Sequence, residues 1–575
     1  MAGQIAARVE LAVAGGIGGA CLWAVFEAGE RAWIGHYPAF ALFGFILAGF
    51  GALLAMAGPL GLTRALPRAL AMGLLVAALI GLTALRWAEA EDIFASPIPA
   101  LALMVVATLP VPFLIAAART SWRDYPALFL EAWSIVLRGS AAAAFTGLVW
   151  LVIYLSDEVL RIVGIDVIHQ LLQHEVVPMV LTGAVFGLGM AVIHDLAELL
   201  SPYVVLRVFR LFLPVVLAVM AVFLIALPFR GLDGLAGGLS PAALLLTMVG
   251  GGIALVSIAI DQADEDATQS PLLIRCAQGM ALVLPVVAGL ALYAIWLRVA
   301  EYGWTPGRLF IVLVAGLGVA YGLVYAVAVL RGGGWMERIR QGNIRMALVI
   351  IALAALWLTP VLNAERISAG DQLARFEAGT TPVEALDIPA LRSWGKPGAA
   401  VVAMLEERAK APGQEALAAA LAGRSAGPVL DHAALVAALA AALPVQPVTA
   451  TGARDALLDA ADDYLLQDWQ GVCAVERAEG RPGCLLVLAD LLPNRPGEEG
   501  MLFLQRSLDY TEILGLYLDD QGRMMTRSVT HPDGRYIDSS EATALMRQYQ
   551  DTLPAVVPVP LNQLGLDEAG LIFLP

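Results

Sequence analysis

Apolar runs of about twenty residues, separated by short polar breaks, repeat along the first two thirds of the chain. A helix crossing about 30 Å of hydrocarbon needs about 20 mainly apolar residues. Eleven segments meet that test: 11–29, 37–60, 67–87, 97–118, 139–156, 176–194, 207–229, 241–260, 273–297, 306–330 and 345–363. The stretches 123–138 and 157–175 are apolar on one face and interrupted by charges, which predicts helices lying at the membrane interface. Beyond Asn363 the pattern changes. Residues 365–445 alternate Ala-rich amphipathic stretches with Pro and Gly breaks, as soluble helices do. A capped helix over 453–468 follows. Then VCAVE, CLLVLAD, GMLFLQ, TEILGLYL and RMMTRSVT read as short strands separated by turn signals, with a helix near 540–550. The fold class expected is a polytopic α-helical membrane protein of about 11 transmembrane helices with a C-terminal soluble α+β domain. Its parts are a multi-span domain over 1–363, a helical connecting region over 364–450 and a small antiparallel domain over 451–575.

Composition sharpens this picture. The 575 residues are 59% hydrophobic and 15% charged, with a mean hydropathy of +0.76, far too apolar for a soluble chain of this length. Residues 364–575 carry 29 of the 50 acids and 16 of the 35 bases, so most of the net charge of -15 belongs to the C-terminal third. That acidic domain offers no electrostatic footprint for nucleic acid. Lysine occurs only at 396 and 410. The segment from Leu11 has only Arg8 as a positive flank and no cleavage pattern, so the first run is expected to stay in the protein. With the N-terminus inside, thirteen loop arginines fall on the cytoplasmic side and six on the other. This bias, with an odd number of spans, predicts a cytoplasmic N-terminus and a periplasmic C-terminal domain; arginine in place of lysine and the wealth of Ala, Gly and Leu read as the bias of a GC-rich bacterial genome. The most decisive loop is RGGGWMERIRQGNIR, with four arginines.

Three groups of residues carry candidate chemistry. Arg298, Glu301, Tyr302, Thr305 and Arg308 sit in the break between spans nine and ten. Guanidinium groups there suit a lipid phosphate or other anion, with Thr305 and Pro306 starting the next helix. The plainer reading is a helical hairpin whose arginines reach the headgroups. His194, Asp195 and Glu198 close span six as HDLAE, an ionisable cluster whose i, i+4 histidine and carboxylate suit a metal or a proton relay or, more simply, an interface anchor; no second ligand pair accompanies them, and no metal is assigned. Cys473 and Cys484 flank a predicted hairpin, where a disulfide and two buried free thiols both fit. Small residues at i, i+4 (Gly15 and Gly19, Gly183 and Gly187, Gly318 and Gly322) predict close helix packing. Thr146, Thr182, Thr247, Ser257 and Gln278 are among the few polar side chains in the spans. No nucleophile elbow, phosphate loop, zinc-protease helix or deaminase signature is present, and no cofactor is implied.

The runs YAIWLRVAEYGWTPGRLF and PVLNAERISAGDQLARF, with LSDEVLRIVGIDVIHQLL followed by GAVFGLGMAV, resemble the bacterial membrane proteins grouped as domain-of-unknown-function family 4153. The Arg-x3-Tyr-Gly-x-Thr-x2-Arg element, Arg298 to Arg308, carries most of that resemblance. What it implies is a multi-span inner-membrane protein without catalytic residues to transfer. The expected role is structural or regulatory in the envelope, with the bilayer and a periplasmic protein as partners. Two alternatives stand beside it: a transporter or lipid-handling protein that receives an anionic headgroup at Arg298 and Arg308, and, less favoured, a membrane transferase using Asp195 or Glu198 as base.

Overall fold

The computed structural model describes residues 2–195, 202–230, 241–421, 432–475, 481–492, 497–507, 510–519, 522–531, 535, 537–558, 563–566 and 569–572. It divides into two compact units, 1–423 and 424–575.

The first unit is all helical. In order come α1 (Ala2–Glu30), α2 (His36–Leu60), α3 (Leu62–Ala84), α4 (Pro97–Thr108), α5 (Pro110–Arg119), α6 (Tyr125–Ile162), α7 (Val167–Leu172) and α8 (Val176–Asp195). They are followed by α9 (Pro202–Arg210), α10 (Phe212–Arg230), α11 (Pro241–Ile260), α12 (Pro271–Tyr302), α13 (Pro306–Leu330) and α14 (Trp335–Trp357). Eleven helical stretches among the described residues are long and apolar enough to cross a membrane, the fourth being α4 and α5 together. All eleven coincide with the predicted runs. Four shorter helices complete the unit: α15 (Ala364–Glu377), α16 (Ile388–Ser393), α17 (Gly395–Ala409) and α18 (Glu415–Leu421).

Three boundaries differ from the hydropathy reading; in the second expected interfacial stretch, 157–175, residues 157–162 belong to α6 and only the short α7 stands apart. The stretch 123–138 is not a separate interfacial helix; it is continuous with the fifth span in the 38-residue α6, about 57 Å long at 1.5 Å per residue. The charges that seemed to break the span satisfy one another. Glu131 accepts from Arg119 at 2.8 Å and lies 3.9 Å from buried Arg138, whose Nε donates to Ser134 O. Asp124 starts the helix by accepting from Ala127 N. The last span also begins ten residues early, at Trp335, after Gly334 at φ 69° ends the turn. Of the arginines in its first turns, Arg338 is held by carbonyls of the preceding turn and Arg340 by the end of α11, while Arg345 stays exposed.

Small residues set the packing. A Cβ on Gly15 or Gly19 would collide with the backbone of α8 at Gly183 and Met179, so α1 and α8 touch main chain to main chain. Gly322 meets Pro285 in the same way, at 2.6 Å from its nitrogen. The predicted threonines Thr146, Thr182 and Thr247 return their hydroxyls to the carbonyl four residues back.

The second unit holds α19 (His432–Ala442), β1 (Val445–Gln446), α20 (Thr451–Asp459), α21 (Asp463–Cys473), β2 (Cys484–Ala489), β3 (Glu499–Ser507), β4 (Tyr510–Leu518), β5 (Met524–Ser528), α22 (Ser539–Asp551) and a hairpin, β6 (Gln563–Leu566) with β7 (Ala569–Ile572). The main sheet has the order β1-β2-β3-β4-β5 and is mixed, because β1 runs parallel to β2. Leu486, Leu488, Leu502 and Leu504 pack on α19 to α21, while Leu485, Val487 and Phe503 pack on α22. Cover on both faces explains why β2 reads as an unbroken apolar run. In the expected strand VCAVE, Val472 and Cys473 are instead the end of α21, with Ala474 as its cap, and the helix expected over 453–468 is two, because Asp462 caps a fresh start by accepting from Leu465 N. Cys473 and Cys484 are bonded, with Cα atoms 5.0 Å apart, so the link joins a helix end to β2 rather than two strands of a hairpin.

Candidate anionic-ligand site at the span ends

The break between α12 and α13 is built as a capped turn. Gly303, at φ 76°, ends α12, and its N–H donates to Val299 O at 2.8 Å. Thr305 starts α13 by accepting from Arg308 N at 3.3 Å, with Pro306 at the first helical position. The last carbonyls of α12 would be left without intrahelical partners. Helix α15 supplies them. Arg375 donates to Glu301 O at 2.6 Å and to Ala300 O at 3.4 Å, and Gln372 donates to Tyr302 O and Trp304 O at 3.1 and 3.2 Å. Asp371 accepts from Trp304 N at 2.8 Å. A side chain at 303 would meet Asp371 Oδ2 at 2.6 Å, so the turn needs glycine for both its φ and its space.

Of the five sequence candidates, Thr305 and Arg308 are therefore occupied inside the turn. Arg308 donates to Gly303 O at 2.7 Å, and its guanidinium lies 5.5 Å from the centre of the Tyr302 ring. Glu301 contributes its carbonyl, while Arg298 and the Glu301 side chain stay exposed. The turn is a socket for α15.

Next to that socket the chain forms a collar around the end of α3. Asn363 caps α15 by accepting from Arg366 N at 2.9 Å. Arg86, 4% exposed, donates to Glu365 at 3.1 Å and to Trp357 O at 3.0 Å. Burial lowers the Arg86 guanidinium from its ordinary value, and Glu365 beside it works the other way. Thr83 donates to Leu358 O at 2.8 Å, tying α3 to the exit of the last span. Lys396 binds twice, its N–H to Arg86 O at 2.9 Å and its Nζ to Leu85 O at 3.1 Å.

Between α3, α15 and α17 this collar leaves a pocket of about 470 Å³. Its walls include Leu85, Pro360, Leu373, Pro397, Val401 and Met404, with Arg86, Arg366 and Lys396 as its cations. Glu365, the nearby carboxylate, is already held by Arg86. Arg366 is exposed, and Arg86 Nε is buried without a partner. Apolar walls with two unneutralised cations suit an amphiphile with an anionic head. Hydropathy could not have found this pocket, since its residues come from 85–86, 360–373 and 396–404. The signal available was the pair of lone lysine-containing and arginine-containing segments on otherwise apolar surroundings.

A second polar centre was also missed. Near the opposite ends of the spans, Tyr325 OH donates to Asn343 Oδ1 at 2.7 Å, Asn343 Nδ2 donates to Tyr125 OH and Ser257 Oγ at 3.1 and 3.2 Å, and Ser257 bonds Tyr325 at 2.9 Å. Beside it Arg210 pairs with Asp261, and Arg340 donates to Ile260 O at 2.6 Å, Asp261 O at 3.2 Å and Asp264 at 2.7 Å. These groups cap α11 and fix the loop after it; they satisfy one another and so act as a lock. The His194, Asp195 and Glu198 candidate has side chains outside the described residues.

No curated protein and no solved structure matches the chain. The domain of unknown function DUF4153 matches residues 12–405, which takes in all of the described spans but the start of the first, the hairpin socket and the collar pocket, and the chain belongs to that family.

Proposed function

We propose that the protein holds an anionic amphiphile, a lipid or lipid-linked headgroup, in the collar pocket of its membrane domain. The observation that carries this reading is the 470 Å³ pocket itself, apolar in its walls and edged by Arg366 and Lys396 at the ends of the spans. We assign the headgroup contacts to Arg366 and Lys396, which line this pocket, rather than to Arg298 and Arg308, which do not. We place the N-terminus in the cytoplasm and the C-terminal domain in the periplasm of a bacterial inner membrane. Support comes from the thirteen-to-six arginine bias, the odd count of spans and a bonded cysteine pair suited to an oxidising compartment. A periplasm-active reporter fused after Pro575 should be active.

The test is mass spectrometry of molecules that copurify with the full chain in lipid nanodiscs. An enriched anionic amphiphile should disappear from the Arg366→Ala/Lys396→Ala variant and from Ala400→Trp, which fills the pocket without removing charge. Equal retention by all three proteins rejects the proposal.

One observation favours a second reading, an envelope structural or regulatory protein whose outer domain meets a protein partner. The second unit has an open groove of about 760 Å³ beside the edge strand β1, lined by Val445, Gln446, Arg454 and Arg481 among others. An exposed edge can accept an added strand. A stoichiometric partner lost on Val445→Pro, which removes the N–H that β1 turns away from β2, would support it.

A further inference from the structure

The turn between α13 and α14 carries a second cationic groove, independent of the collar. It is about 550 Å³ and is lined by Leu323, Val324, Val327 and Met346 together with Arg331, Glu337, Arg338 and Arg345. The charges are accounted for one by one. Arg338 donates to Ala328 O at 3.0 Å and Gly332 O at 2.7 Å, closing the end of α13. Glu337 accepts from Gln341 at 2.9 Å and lies 3.6 Å from Arg340, which is itself buried against the α11 end. That leaves Arg331 and Arg345, both exposed and with no ion pair among the described residues.

Arg345 is the anomaly. It stands ten residues into a helix long and apolar enough to cross a membrane, about 15 Å along its axis at 1.5 Å per residue. Its helical neighbours toward the next turns are Leu348 and Val349, both partly exposed. An unpaired charge on such a face is costly and calls for a counter-charge. The groove's other wall presents Leu323 and Val327, 52% and 43% exposed, toward the same side. Gly342 opens the notch: a Cβ there would press on Val324, so α13 and α14 approach closely beneath the arginines.

We infer that this groove binds an anionic phospholipid, its phosphate between Arg331 and Arg345 and an acyl chain along Leu323, Val327 and Met346. Phosphate matches the guanidinium fork, and hydrocarbon matches the wall. A soluble anion would satisfy the arginines and leave the wall unused, which favours the lipid.

The full chain, released from nanodiscs of phosphatidylcholine and phosphatidylglycerol, should retain phosphatidylglycerol in native mass spectra. Arg331→Gln/Arg345→Gln should lower retention roughly 30-fold, at about 1 kcal/mol per arginine near a charged surface and 1.4 kcal/mol per tenfold. Leu323→Trp, which fills the wall and leaves the charge intact, should lower it too. Arg64→Gln, a control on α3, should change nothing, and excess inorganic phosphate should not displace the lipid. The inference is overturned if the double variant retains lipid like wild type, if Arg64→Gln lowers retention equally, or if inorganic phosphate competes.

Discussion

Removing either member of the buried pair Arg86 and Glu365 should destabilise the membrane unit, and removing both should cost less than the two single losses added together. The two side chains are 3% and 8% exposed and 3.1 Å apart. At that separation an effective dielectric of about 20 gives an attraction of about 5 kcal/mol. Breaking such a pair from one side costs about 3–5 kcal/mol, because the remaining charge stays buried. In Glu365→Leu the survivor is a buried guanidinium without its carboxylate. In Arg86→Met the survivor is a carboxylate left without its counter-charge in the same buried place. The double variant Arg86→Met/Glu365→Leu should recover most of the loss, leaving the broken bond to Trp357 O as its main deficit. Unfolding free energies from SDS titration in bicelles provide the measurement. Additive single losses would refute the view that these two charges are buried against each other.

Three further outcomes follow from other parts of the chain. Gly15→Val should separate α1 from α8, at a cost of about 1–3 kcal/mol or more, because its side chain would lie inside the Gly183 backbone; cysteine crosslinking between positions 19 and 179 should fall with it. Cys473→Ser should lower the stability of the second unit by about 2–4 kcal/mol, the usual range for opening a short loop, read as faster proteolysis of the unit in the full chain. His432 offers Nδ1 to Asp463 at 2.7 Å and Nε2 to Asp459 O at 3.1 Å, and only the imidazolium can donate both bonds. Its pKa is raised by the Asp463 bond first and the Asp459 carbonyl second, so its stabilisation is complete below about 6.5 and lost as the pH rises through the higher folded value. Wild type should unfold more easily above that range, and His432→Ala should flatten the dependence in tryptophan-fluorescence unfolding curves.

What the sequence made legible is what a single window of residues determines. Eleven apolar runs became eleven span-length helices because each needs only its own length and composition to be recognised. The windows failed where a distant residue changed the meaning of a local one. Arg138 reads as a break in a span until Glu131 and Ser134 are seen to satisfy it, and then α6 runs on through it. Arg308 reads as a free cation until its bond to Gly303 O closes the turn. The same logic located the proposed sites. Arg366, Lys396, Arg331 and Arg345 are ordinary cations by sequence, and they matter because the fold has already paired the carboxylates beside them, Glu365 with Arg86 and Glu337 with Arg340. A charge left over after that pairing, against an apolar wall at the end of a span, is the feature that argues for a ligand, and neither half of it can be read one segment at a time.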